Sequence, residues 1–146
     1  MKTIETSILI DATPQKVWEV LTDFENYSKW NPFIQSIHGQ KEKGGRLEVS
    51  IQPPEGNKLS FEPVVLEWCK HKMIRWKREL YITGLFDGEH YFIIEPYKSY
   101  GTNFIQGENF SGLLVPLLRK SLYKTEKGFY MMNADLKEYC EQEKTS

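Results

Sequence analysis

The spacing of apolar residues changes near Ser111 and does not change back. Before that point, short segments such as "RLEVSI", "MIRWKREL" and "HYFIIE" alternate apolar and polar residues, which is typical of β-strands. After it, apolar residues recur at helical spacing, at Leu118, Leu122, Phe129, Met132, Leu136 and Cys140. Because the strands are joined by short turns, the pattern predicts an antiparallel sheet. It also predicts one long helix from about Leu114 to Glu141, with Gly128 as a candidate bend.

The N-terminal segment adds one strand and two short helices to this prediction. Apolar residues alternate from Ile4 to Ile10, and Thr13 can then cap a helix whose first turn holds Pro14. The stretch "TDFENYSKWNP" predicts a second short helix that Asn31-Pro32 ends. Turns are predicted at "EKGG", "PPEGN", "CKHK" and "FDGE". The expected fold class is therefore α+β, with a curved antiparallel β-sheet of six to seven strands wrapped around the long C-terminal helix.

Length and charge limit the classes of function. A chain of 146 residues fits a single domain, 1–146, and its 19 basic and 20 acidic residues give a net charge of -1. This balance predicts no general affinity for nucleic acid or anionic lipid. The two cysteines, Cys69 and Cys140, lack metal-type spacing, so we expect reduced thiols. Because no segment approaches the ~18 apolar residues of a membrane span, we expect a soluble cytoplasmic protein without integral membrane association.

The segment "GTNFIQGENFSG" contains the most informative side chain. On a strand, Thr102, Phe104, Gln106, Glu108 and Phe110 share one face. The two phenylalanines indicate that this face is buried, yet burying a carboxylate is costly unless it is paired, hydrogen-bonded or protonated. Glu108 is therefore a candidate functional residue.

The order and spacing of several segments resemble one known superfamily along essentially the whole chain. The segments are "ATPQKVWEVLTDFENYSKWNPFI", "LEW", "IRW", "FDGEHYFIIEP", "GTNFIQGENFSGLL" and "GFYMMNADLKEY". They resemble the START-related superfamily, which includes polyketide cyclase/dehydrase and birch-pollen-allergen-like (SRPBCC) proteins. The resemblance implies the helix-grip fold, with a ligand cavity between the concave face of the sheet and the long helix. Since proteins of this fold differ in activity, the resemblance does not fix the function.

The inward faces of the predicted strands and helices would line such a cavity. The expected ligand-binding residues are Trp30, Phe33, Val49, Ile51, Phe61, Trp76, Leu80, His90, Phe92, Phe104, Gln106, Glu108, Phe110, Leu118, Leu122 and Phe129. A mostly apolar lining with a few polar groups is typical of small-molecule pockets.

Each of the polar residues has two interpretations, one structural and one functional. Glu108 is either a structural carboxylate, paired with Arg78 or hydrogen-bonded to Gln106 or Tyr81, or an unpaired acid–base group whose pKa is raised by burial. His90 is either a core residue whose ring nitrogens have hydrogen-bond partners or the partner of Glu108 in proton transfer. The catalytic candidates are therefore Glu108, His90 and Arg78.

Three functions follow from these alternatives. The first and favoured one is binding, by sequestration or transfer, of a hydrophobic small molecule such as a lipid or polyketide-like compound. The second is a cyclase/dehydrase-type enzyme, and the third is a co-chaperone-like module that binds protein through its outer surface. The sequence contains no nucleotide-binding, esterase or zinc-protease motif, and its three histidines lack metal-ligand spacing, so we expect no cofactor and no metal. The oligomeric state and the ligand are not determined by the sequence.

Overall fold

A computed structural model describes residues 1–80 and 84–142, with the backbone alone at Glu79 and Leu80. Within these residues the chain forms eight strands, two α-helices and two short 3-10 helices. The strands are β1 (Lys2–Ile10), β2 (Ile34–Gly39), β3 (Leu47–Ile51), β4 (Leu59–Phe61), β5 (Val64–Cys69), β6 (Met73–Leu80), β7 (Phe86–Tyr97) and β8 (Gly101–Ser111). The α-helices are α1 (Pro14–Thr22) and α2 (Arg119–Gln142), and the 3-10 helices are Phe24–Lys29 and Val115–Leu117.

The strands form two antiparallel sheets. The main sheet has the order β1-β8-β7-β6-β5, and the second has the order β2-β3-β4. A bridge between Arg46 and Val64, with the hydrogen bond from the Leu47 amide to the Pro63 carbonyl (3.0 Å), joins the two sheets. The α+β helix-grip class is confirmed, although the strands number eight rather than six to seven. The predicted strand "KLSFEPVVLEW" divides into β4 and β5 at Pro63, because proline has no amide to give to a sheet.

The helical predictions at the N-terminal end are confirmed in detail. The Thr13 hydroxyl accepts a hydrogen bond from the Lys16 amide (3.2 Å), and Pro14 lies in the first turn of α1. The second short helix is a 3-10 helix that ends before Asn31. The Asn31 side chain then accepts hydrogen bonds from the Phe33 and Ile34 amides (2.9 and 2.8 Å), which directs the chain into β2.

Two glycine-based predictions were wrong. The predicted turn "FDGE" lies inside β7, which begins at Phe86. Gly128 lies within a continuous helix, and a Cβ atom there would be 2.3 Å from Cδ1 of the Phe33 ring. Both glycines therefore allow a neighbouring group to approach the backbone closely, rather than forming a turn or a bend.

Helix α2 packs mainly against β1, and its C-terminal half is held there by polar contacts. The Lys137 ammonium donates to the Leu9 carbonyl (3.1 Å), and the Glu141 carboxylate accepts from the Asp11 amide (2.9 Å). The apolar face from the middle of α2 onward, including Phe129, Met132 and Leu136, is fully buried. The N-terminal half of α2 lies beside the beginning of β1 and the end of β8, where the chain leaves open space.

Candidate functional site

The strand register brings two of the predicted polar residues, His90 and Glu108, into one row on the inner face of the main sheet. Val65 pairs with Trp76, Trp76 with His90, and His90 with Glu108. The row ends on the edge strand, where Ile4 pairs with Glu108. Directly paired residues point to the same face, so these side chains lie next to one another beneath α2.

Glu108 is the centre of a buried ion-paired cluster with Arg78 and His90. Arg78 Nε donates to Glu108 Oε2 at 3.0 Å, and His90 Nδ1 lies 3.1 Å from Glu108 Oε1. The exposed fraction is 8 % for Arg78, 4 % for His90 and 2 % for Glu108. Both carboxylate oxygens therefore have protein partners, and the interpretation of Glu108 as a carboxylate paired with Arg78 agrees with this geometry.

Hydrogen bonds continue from this cluster to α2. His90 Nε2 lies 3.0 Å from Gln106 Oε1, and Gln106 Nε2 donates to Asn133 Oδ1 at 2.8 Å. Asn133 Nδ2 in turn donates to the Thr6 hydroxyl (2.8 Å), which donates to the Gln106 carbonyl (2.9 Å). This network joins β1, β7, β8 and the middle of α2, so it fixes the helix on the sheet at this level.

Gly88 makes the approach of Arg78 and Glu108 possible. It pairs with Arg78 on one side and with Phe110 on the other. A Cβ atom at this position would be 2.1 Å from Glu108 Oε2 and 3.3 Å from Arg78 Nε. Glycine at position 88 thus provides the space that the carboxylate occupies.

Aromatic rings surround the cluster and fill the space between the sheet and the middle of α2. The His90 ring stacks on Trp76 (centroids 5.1 Å apart) and meets Phe129 of α2 edge-on at 5.0 Å. The Arg78 guanidinium lies 4.8 Å from the Phe61 centroid and 5.9 Å from that of Phe86. Cations over aromatic faces are favourable, so Arg78 is held by packing as well as by Glu108.

The surroundings of Glu108 hold its carboxyl group in the ionised form. Burial by itself would raise its pKa, but the Arg78 charge and the hydrogen bond and charge of His90 outweigh burial and lower the pKa below the ordinary value. A carboxyl group with a lowered pKa is a poor general acid at neutral pH.

Nearly all of the predicted lining residues are buried. Within the described side chains, the buried ones are Trp30, Phe33, Val49, Ile51, Trp76, His90, Phe92, Phe104, Gln106, Glu108, Phe110, Leu122 and Phe129. Phe61 and Leu118 are half-buried, and the side chain of Leu80 lies outside the described residues. Many of the rings pack on each other, as in the stacked pairs Phe92–Phe104 (5.9 Å) and Phe86–Phe110 (5.6 Å).

Two buried indole groups have unused donors. Nε1 of Trp76 and Nε1 of Trp30 have no hydrogen-bond partner among the described residues. A buried donor without a partner costs about 1–3 kcal/mol, so each is a position where an acceptor atom would be favourable.

The largest pocket described has a volume of about 630 Å³ and lies between β1 and the N-terminal half of α2. Its apolar surface comes from Ile4, Val115, Leu122 and Tyr123, and Lys2, Arg119 and Glu126 add charged groups. Only Leu122 among these was a predicted ligand-binding residue. The sequence signal that points to the pocket is the apolar stretch "LLVPLL", which is neither alternating nor helically spaced.

The remaining pockets described are more polar. One of about 490 Å³ lies on the second sheet and includes Val49 and Phe61, and another of about 200 Å³ includes Trp30. Among residues 1–80 and 84–142, no group of three or more His, Cys, Asp or Glu side chains is placed to hold a metal ion. The described helices include none long and apolar enough to cross a membrane.

The outer face of the main sheet is charged. Arg75 lies 3.8 Å from Glu89 and over the Tyr91 ring at 4.8 Å, and the Tyr91 hydroxyl donates to Glu5 at 2.6 Å. A protein-binding site on this convex face would need an exposed apolar patch. This surface therefore gives little support to the co-chaperone-like hypothesis.

Comparison with known proteins matches the chain to one protein family. A family model described as polyketide cyclase/dehydrase and lipid transport matches residues 1–129. No curated protein matches the chain by sequence.

Several solved structures have the same fold at low sequence identity. An aromatase/cyclase (Zhui) from a Streptomyces species superposes with a TM-score of 0.77 at 12% identity, covering 97% of this chain and 94% of that one. The protein TTHA0849 of Thermus thermophilus gives a TM-score of 0.74 at 18% identity, with 95% and 97% coverage. A START superfamily protein of Mycobacterium smegmatis gives 0.72 at 19% identity, with 96% and 97% coverage. At these identities the likeness establishes the fold alone.

Proposed function

Because the chain belongs to the polyketide cyclase/dehydrase and lipid transport family, we propose that it binds a hydrophobic small molecule between the main sheet and the N-terminal half of α2. The observation that carries this proposal is the pocket of about 630 Å³ beside Ile4 and Leu122. Its volume lies within the ~300–1,000 Å³ that is usual for small-molecule sites.

The composition of the pocket supports an apolar ligand with a polar end. Ile4, Val115 and Leu122 offer aliphatic surface, while Lys2 and Arg119 offer positive charge. Covering aliphatic surface stabilises a complex by roughly 25 cal/mol per Å² removed from water. A few charged groups beside an apolar floor would then orient the ligand.

The pocket also adjoins the row of paired inner residues that runs from Val65 to Ile4. Ile4 contributes to the pocket and is the cross-strand partner of Glu108. The unused indole donor of Trp76 lies farther along the same row. To reach Glu108 or Trp76 from this side, a ligand would have to displace rings such as Phe129, which fill the space beneath the middle of α2.

The geometry favours binding over acid–base catalysis. Both oxygens of Glu108 and both ring nitrogens of His90 have partners within the protein. A catalytic acid or base must reach a proton on the substrate, at about 2.6–3.2 Å or through one water. Arg78, Glu108 and His90 would have to exchange existing contacts before they could do so.

Native mass spectrometry of gently purified protein tests the proposal. We expect a bound hydrophobic compound, or saturable binding of N-phenylnaphthylamine by the emptied protein. Val115→Arg places a charge on the half-buried pocket wall and should abolish the binding. Ile105→Arg is the matched control, since Ile105 is equally half-buried but lies on the outer face of β8. No bound compound and no probe binding by the wild type, or equal loss in both variants, would refute the proposal.

A further inference from the structure

Two leucines at the connection between β8 and α2 are exposed to an unusual degree. Leu113 is 79% and Leu117 is 78% exposed. Their neighbours Leu114, Val115 and Leu118 are half-buried and pack against the core. Hydrogen bonds from the Leu113 and Leu114 amides to the Gly84 and Leu85 carbonyls (3.1 and 2.9 Å) hold this segment in place. The two leucines therefore project from an anchored segment, and we call them the apolar tip.

Basic side chains follow the apolar tip along the chain. Arg119 and Lys120 follow it directly at the start of α2 and are exposed. Lys124 is one turn further along, where its Cδ lies near Gly56 of the β3–β4 connection. We call Arg119, Lys120 and Lys124 the basic collar. The charge on α2 is uneven, since residues 119–127 carry four basic side chains and one acidic, whereas residues 128–142 carry one basic and three acidic.

The acidic groups at this end are few or already paired. Glu55 lies 3.8 Å from the Lys127 ammonium. Asp87 accepts from the Gly84 amide, and Glu126 lies at the edge of the pocket described above. Local charge at the tip is thus positive although the whole chain has a net charge of -1. The balanced composition, which predicted no affinity for anionic lipid, hides this asymmetry.

We propose that the apolar tip and the basic collar together dock the protein onto the surface of an anionic lipid bilayer. Leu113 and Leu117 would enter the interface between headgroups and acyl chains, and the collar would contact the anionic headgroups. Surfaces that bind membranes peripherally combine apolar insertion with electrostatic attraction in this way. Each basic residue near such a surface contributes about a fivefold increase in affinity.

The positive charge of the basic collar favours an anionic bilayer over a second copy of the chain as the partner. In a twofold dimer through the tip, the two basic collars would face each other, and like charges repel. An anionic surface complements the collar instead. Docking at this end would also bring the 630 Å³ pocket to the bilayer surface, because Arg119 of the collar lines the pocket, as does Val115, which lies between the two leucines of the tip in the sequence. This last consequence depends on the proposed function, whereas the docking itself does not.

Vesicle co-sedimentation tests the proposal. The full chain is mixed with phosphatidylcholine vesicles containing about 30% phosphatidylserine, and with pure phosphatidylcholine vesicles. We expect binding to the anionic vesicles that falls steeply between low and high salt. Arg119→Glu/Lys120→Glu should weaken binding about 30-fold or more. Leu113→Asp/Leu117→Asp should weaken it about tenfold or more, without a change in far-UV circular dichroism.

The other end of β8 offers a matched control. Tyr100 is 63% exposed beside Lys98, in the turn before β8. Strand β8 separates Tyr100 from the tip, and at about 3.3 Å per residue this distance is roughly 33 Å. Tyr100→Asp should leave vesicle binding unchanged. Equal loss in Tyr100→Asp, equal binding to neutral vesicles, or no binding to anionic vesicles would overturn the proposal. A tip variant that changes only the oligomeric state, measured by analytical ultracentrifugation, would also overturn it in favour of a protein interface.

Discussion

Replacing Gly88 by alanine should destabilise the protein, although general propensity predicts the opposite. The added Cβ would be 2.1 Å from Glu108 Oε2 and 3.2 Å from Glu108 Cδ. An oxygen at the end of a side chain can normally move aside. Here the carboxylate is 2 % exposed and both oxygens are bonded, so it can move only by giving up Arg78 or His90.

The expected magnitude follows from two opposing effects. Alanine in a strand is favoured over glycine by roughly 0.5–1 kcal/mol, because glycine loses more backbone entropy on folding. Separating a buried ion pair costs about 3–5 kcal/mol, because it leaves Arg78 as an uncompensated buried charge. The net expectation is a decrease of about 2–4 kcal/mol in the free energy of unfolding.

Urea unfolding of the wild type and Gly88→Ala, followed by tryptophan fluorescence, measures this decrease. With a slope of roughly 2 kcal/mol/M, the midpoint should fall by about 1–2 M. Gly56→Ala is the control, because its added Cβ would come no closer than 3.2 Å to a neighbour. An unchanged or higher midpoint in Gly88→Ala would refute the argument that Gly88 makes room for the ion pair.

Three further variants test the charge of Glu108, the packing of α2 and the outer face of the main sheet. Because the pKa of Glu108 is lowered, its ionised form stabilises the fold at pH values above 4.5, its ordinary pKa. This stabilisation is lost as the pH falls through the pKa that Glu108 has in the folded protein. The difference in urea midpoint between wild type and Glu108→Gln should therefore shrink from pH 7 to pH 3, and a constant difference would contradict the shift. Gly128→Ala should lower Tm despite the better helix propensity of alanine, since its Cβ would meet the Phe33 ring, at an expected cost of about 1–3 kcal/mol; a higher Tm would contradict the contact. Burial and the hydrogen bond to Glu5 raise the pKa of Tyr91 to about 12. At pH 11, tyrosinate absorbance of Tyr91→Phe should therefore match the wild type, and a clear loss would contradict the raised pKa.

The fold was predictable because its periodic signals are strong. Alternation from Gly101 to Ser111 gave the correct inner face of β8, and the capping by Thr13 located the start of α1. The glycines led to wrong predictions, because a glycine in a sequence indicates that its position needs freedom of the backbone but not which structural feature requires it. At Gly88 and Gly128 the cause is the approach of a distant side chain, which depends on strand pairing and helix packing.

The candidate site was predictable only in part. The sequence placed Glu108 among aromatic residues and suggested Arg78 as its partner, and the structure has this pair at 3.0 Å. It could not indicate that the network continues to Asn133 of α2, because that contact joins residues far apart in the chain. The pocket beside Val115 was missed because "LLVPLL" has no period from which a buried face can be assigned.

A methyl-resolved NMR titration with N-phenylnaphthylamine tests most directly where a hydrophobic ligand binds. The account predicts saturable shifts of the methyl signals of Ile4, Val115 and Leu122, which surround the pocket between β1 and α2. The methyl signals of Leu59 and Ile105 lie outside this pocket and should stay unchanged. Shifts confined to Leu59 and Ile105, or weak unsaturable shifts across the whole surface, would contradict the proposed site.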